Sequence, residues 1–159
     1  MTTDSPLLMR VSTSVTGCFS ADSHVVEVFE GHPCRVTIST THGLSKVGNA
    51  SIIIAVAEDT AMSFVSRVRE ISGTPAKLMG GRSTTVYEAT VEADGHVNVF
   101  KCSEIPQSEV LDALNDPRTS EALKQKMKQS IVFEYHNPAY ELNKLVEAFI
   151  AETVNKQPR

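Results

Sequence analysis

The dipeptide Asp94-Gly95 stands between two runs of strand-forming residues, 82–93 and 96–102. Both residues of a two-residue type I′ turn need positive φ, which Asp and Gly tolerate, so the pair predicts a β-hairpin and fixes its register. In that register Ala89 faces Phe100, Tyr87 faces Cys102 and Glu88 faces Lys101. One face of the ladder is then apolar, while the other carries Glu88 and Lys101 as a cross-strand charge pair. A chain that commits to this hairpin must supply a sheet for it to join.

The remaining segments provide one. Leu7, Met9, Val11, Thr13 and Val15 alternate with Leu8, Arg10, Ser12, Ser14 and Thr16, the two-residue period of a strand with one buried face. Turn-forming residues then separate a second strand, 24–30, from a third, 34–39, which completes an N-terminal antiparallel meander. Ser51-Ile52-Ile53-Ile54-Ala55-Val56-Ala57 is apolar on both alternating faces and predicts a central strand covered above and below. Ala61, Phe64, Val65, Val68 and Ile71 recur at helical spacing over 59–72, with Asp59 or Thr60 as the cap and Gly73 as the stop. Residues 106–129 are expected to form two short helices, with Asp116-Pro117 ending one and capping the next. Ile131 to Tyr135 reads as a strand. Asn137-Pro138 caps a last helix, 138–154, striped by Leu142, Leu145, Val146, Phe149, Ile150 and Val154.

The expected fold is therefore α+β, a single domain over 7–154 with a mostly antiparallel sheet packed against helices, and flexible tails at 1–6 and 155–159. With 159 residues and 41% hydrophobic content the chain is long enough for one core and short for two. A net charge of −4 argues against a protein built mainly to hold nucleic acid. Arg118, Lys124, Lys126 and Lys128 spread around their helix without interleaved aromatics, as on a solvated face. Cys18, Cys34 and Cys102 are odd in number and lack CxxC spacing, which fits reduced thiols better than a disulfide framework or a zinc site. Leu7-Leu8-Met9 is too short for a signal core or a membrane span, so a cytoplasmic setting is expected.

For chemistry, the candidates are two loops. A helix over 59–72 that doubles back along strand 51–57 would place the loops 41–49 and 73–84 on one edge of the sheet. His42, Gly43, Ser45, Lys46, Lys77, Gly80, Gly81, Arg82, Ser83 and Thr84 would then gather cations, hydroxyls and glycine N–H groups suited to a phosphate or carboxylate. In that site His42 would act as acid or base while Lys46, Lys77 and Arg82 clamp charge. Two solvated surface loops are the plainer alternative, since neither a Walker loop nor a dinucleotide fingerprint is present. His32 beside Cys34 suggests a thiolate pair, yet Cys34 falls on the apolar face of its strand. His24, His96 and His136 have no ligand spacing, so neither a metal nor a cofactor is expected.

Without a nucleophile and an orienting base, the expected function is a protein–protein interaction or adaptor module that self-associates as a homodimer through a sheet edge. The meander strand whose outer face carries Arg10, Ser12 and Ser14 is the candidate edge. A binding protein or enzyme for a small anionic ligand is the alternative.

Overall fold

The structure is a computed structural model that describes residues 5–17, 21–43, 50–75, 82–104, 112, 114–129 and 137–155. Its strands are β1 (Leu7–Thr16), β2 (Ala21–Phe29), β3 (Cys34–His42), β4 (Ala50–Val56), β5 (Arg82–Ala93) and β6 (His96–Glu104). Among the described residues three helices of full extent accompany them: α1 (Glu58–Gly73), α2 (Glu121–Gln129) and α3 (Pro138–Asn155). The strands form one six-stranded antiparallel sheet in the order β4-β3-β2-β1-β5-β6, which is the expected α+β class.

Alternation decides which face is covered. Met9, Val11 and Thr13 of β1 are buried, and their partners Val28, Val26, Val36 and Ile38 continue the same rows across β2 and β3. Phe64, Val65, Val68 and Ile71 of α1, with Leu142, Val146 and Phe149 of α3, close this face into one core. Each such side chain contributes roughly 1.5–3 kcal/mol by leaving water. Phe64 and Phe149 stack at 4.1 Å where the two helices meet. Asn143 ties α3 to the sheet, donating Nδ2–H bonds to the Glu88 carbonyl at 3.0 Å and the Ala139 carbonyl at 2.8 Å.

The Asp94-Gly95 hairpin forms in the expected register, with Ala89 opposite Phe100 and Glu88 opposite Lys101 at 3.4 Å between charges. Asp94 and Gly95 have φ of 54° and 76°, the left-handed conformation the turn demands. At the β2–β3 turn a Cβ on Gly31 would lie 2.7 Å from the Pro33 carbonyl oxygen, so the backbone itself requires glycine there. Asn137 caps α3 as expected, accepting the Ala139 N–H at 3.0 Å, with Pro138 in the first helical position.

Four local expectations are corrected. Among the described residues β4 is an edge strand and not the central one: it pairs with β3 alone, and β1 is flanked by β2 and β5. Three consecutive isoleucines do not require two covered faces, because side-chain alternation says nothing about strand order. α1 does not double back along β4. Ile53, Thr37, Glu27, Arg10 and Glu92 form one row of the sheet, and Val56 and Asp94 both lie beyond it at the same end. α1 leaves from Val56, and near its far end Arg69 bridges to Asp94 at 3.2 Å, so the helix crosses the strands. α1 starts one residue earlier than expected, with Ala57 at the cap position and no side-chain cap; Glu58 and Asp59 occupy the first turn, where the helix dipole favours acid. Finally, Pro117 lies in a turn, and α2 is preceded by Ser120, whose Oγ accepts the Leu123 N–H at 3.3 Å. The expected strand 131–135 lies outside the described residues.

Candidate functional site

Of the ten residues expected to hold an anion, Ser45, Lys46, Lys77, Gly80 and Gly81 lie outside the described residues. His42 and Gly43 stand at the end of β3, whereas Arg82, Ser83 and Thr84 begin β5. β2 and β1 separate those strands, three spacings or about 14 Å across the sheet. His42 lies in the row of Tyr87, so Arg82 is displaced further along β5 as well. The described members of the set are thus not neighbours.

His42 and Gly43 also have other partners. His42 Nδ1 is 3.1 Å from Asp22 Oδ1, and a carboxylate at that position repels an incoming anion. The Gly43 N–H donates to the Ala21 carbonyl at 2.6 Å. Asp22 went unnoticed in the sequence because its contact depends on the β2–β3 register, which no two-residue turn announces. His24 joins the cluster: its Nδ1 is 3.0 Å from Thr40 Oγ1, and its ring meets that of His42 edge to face, with centroids 6.3 Å apart. Burial holds His24 below the usual imidazole range and the His42 ring adds to this, while Glu147 and Asp22 oppose it. No group of three or more metal-ligating side chains suited to an ion occurs among the described residues.

Cys34 is buried, with its Sγ 3.4 Å from the Gly31 carbonyl oxygen, and burial pushes its thiol above the ordinary value. The neighbouring His32 turns instead to Glu58. This thiol packs with the core and has no activating imidazole among the described residues.

The side of the sheet opposite the helices has a polar centre and apolar margins. Arg10 is held by Glu27 at 2.7 Å and Glu92 at 2.8 Å, and Thr37 donates to Glu27 at 2.9 Å. The Arg10 guanidinium is the main cause that holds the Glu27 carboxyl below its usual range. At one margin Ile53 is 70% exposed; at the other Val97 and Val99 are 61% and 71% exposed. Arg10, Ser12 and Ser14 therefore sit mid-sheet and not on an edge, since β1 is paired on both sides.

The free edges among the described residues are the outer sides of β4 and β6. β6 carries Lys101 and Glu104, and Val99 to Lys101 line a cavity of about 410 Å³ with Pro75, Asn137 and Pro138. β4 has no charge, no proline and no bulge along Ala50–Val56, and Ile52 and Ile53 are both exposed. Charges, prolines and bulges are among the devices by which natural edges avoid pairing with other chains, and β4 carries none of these three. A cleft of about 360 Å³ between α1 and α3 has an apolar floor of Phe64 and Phe149 and a rim of Asp59, Arg67 and Glu152. Arg67 is paired with Glu70 at 2.9 Å, and the rim shows no convergent polar set.

No helix among the described residues is long and apolar enough to cross a membrane. Compared with known proteins, the chain matches no family model and no curated protein.

Proposed function

We propose that the protein is a protein–protein interaction module that docks a partner by strand addition at the outer edge of β4. The observation that carries this reading is the combination found there: an edge strand of seven residues, uncharged throughout, with Ile53 70% exposed. An added strand would satisfy the outward N–H and C=O groups of β4 and shield the flanks of Ile52 and Ile53 from water. The fixed ion network around Arg10 supports the reading by keeping the centre of the open face soluble, so that exposed apolar side chains are confined to its margins. A cytoplasmic setting accompanies it, supported by Cys34, a buried reduced thiol.

Hydrogen exchange across β4 tests this. In the dilute protein, the β4 amides that point away from β3 are expected to exchange at nearly unprotected rates. A lysine-flanked peptide carrying the sequence 50–56 is expected to slow them at least tenfold, and the same peptide with proline at its centre is expected to leave them unchanged. Fast exchange with both peptides, in protein too dilute to self-associate, would refute docking at this edge.

A further inference from the structure

We infer that the partner is a second copy of this chain, its β4 paired antiparallel with β4 of the first across a twofold axis at Ile53. The inference rests on reading β4 as the docking edge, and adds the identity of the occupant and its register.

Residues directly opposite in an antiparallel ladder point to the same face. In a symmetric pair the axis must then pass through a residue position, and Ile52, Ile53 and Ile54 are the central choices. Only Ile53 is the midpoint of Ala50–Val56, so only this centre overlaps the whole strand with its copy. Centring on Ile52 would set Ser51 opposite Ile53 and carry Ala55 and Val56 past the end of the copy. Centring on Ile54 would set Ile53 opposite Ala55 and strand Ala50 and Ser51. With the axis at Ile53, like meets like. Ile53 faces Ile53 on the open side; on the helix side Ile52 faces Ile54 twice; Ser51 meets Ala55 and Ala50 meets Val56, small residues against small or medium ones.

The run is thus a near-palindrome in size and polarity, a self-complementarity that an unrelated partner would not require. Electrostatics agrees. The chain carries a net charge of −4, so two copies repel in general, but β4 brings no charged side chain opposite another. A twofold axis normal to the sheet keeps both helical layers on one side. The product is a continuous antiparallel sheet with the two Ile53 side chains side by side at its centre, each 70% exposed in the single copy and partly shielded by the other in the pair.

Single cysteines read the register directly, because a disulfide needs Cα atoms about 4.4–6.8 Å apart and directly opposed residues fall within that range. In a Cys18→Ser background, Ile53→Cys is expected to form a covalent dimer under mild oxidation at least tenfold faster than Ile52→Cys or Ile54→Cys alone. A mixture of Ile52→Cys and Ile54→Cys is expected to cross-link where neither does by itself. Efficient self-cross-linking at 52 or 54 with a silent 53 would overturn the register while leaving docking at β4 intact. A dimer in sedimentation with no cross-link in any variant or mixture would overturn the proposed interface. A protein that stays monomeric at high micromolar concentration, yet whose β4 amides are protected by the 50–56 peptide, would overturn the second copy as partner and keep the docking edge.

Discussion

Replacing Thr13 by valine is expected to stabilise the protein. Thr13 sits in β1 at the middle of the sheet, between Ala89 and His24, and is 2% exposed. Its Oγ1 has no hydrogen-bond partner among the described residues. Burial of an unsatisfied hydroxyl costs roughly 1–3 kcal/mol, and valine keeps the shape of threonine while replacing the hydroxyl by a methyl. Valine also suits a strand at least as well. The expected gain is about 1–2 kcal/mol, which raises Tm by roughly 2–8 °C at the 2–4 °C per kcal/mol typical of a chain this long. In urea, with m near 2 kcal/mol/M, the midpoint should move up by about 0.5–1 M. Thr13→Ser is the control: it keeps the hydroxyl, loses a buried methyl, and should lower stability by about 1 kcal/mol. The order Val, Thr, Ser is the signature of an orphaned hydroxyl. A Thr13→Val protein less stable than the parent would show that Oγ1 has a partner after all, and would refute the reasoning.

Removing the Asn143 amide should be severe, since its Nδ2 holds the Glu88 and Ala139 carbonyls together; Asn143→Ala is expected to lower the free energy of unfolding by about 2–3 kcal/mol in chemical denaturation. Gly95→Ala has open space around the new methyl, so its cost is conformational alone, about 1 kcal/mol from φ of 76°, read as a lower Tm with the hairpin register kept by NMR. Because burial holds the His24 imidazole below its usual value, the unfolded chain binds a proton that the folded one resists. Stability should therefore fall as pH drops below about 6.5 toward that lowered value, and His24→Gln should flatten the slope in this window. Glu27, held down chiefly by its hydrogen bond from Arg10, adds a further loss once pH falls below the ordinary carboxylate range, which Glu27→Gln should remove.

Local chemistry was readable where one residue type has one use. Asp94-Gly95 dictated a turn, and with it the Tyr87–Cys102 and Glu88–Lys101 pairings; Asn137-Pro138 marked the start of α3 by the same logic. Strand order was not readable. The isoleucines of β4 read as central because a fully covered strand and an uncharged edge strand can have the same composition, and only the neighbours distinguish them. The path of α1 failed for a related reason: its length matched that of β4, but the long stripe from Ala61 to Ile71 is satisfied equally well by crossing several strands. The proposed gathering of loops depended on that path. His42 could be singled out as an imidazole in a predicted loop, whereas its partner Asp22 follows only from the β2–β3 register.

The central claim is that the uncharged β4 edge joins two copies of the chain, and sedimentation equilibrium of the parent beside Ile53→Lys measures it. Shielding part of an isoleucine from each copy contributes about 1–2 kcal/mol to a pair, or roughly 5-fold to 30-fold in Kd, and a lysine adds charge repulsion across the axis. The parent is expected to sediment as a dimer in the micromolar range, and Ile53→Lys as a monomer with unchanged circular dichroism and a Tm that, unlike the parent's, does not depend on concentration. A dimer that survives Ile53→Lys with its Kd unaltered, or a parent that is monomeric throughout, would contradict the account.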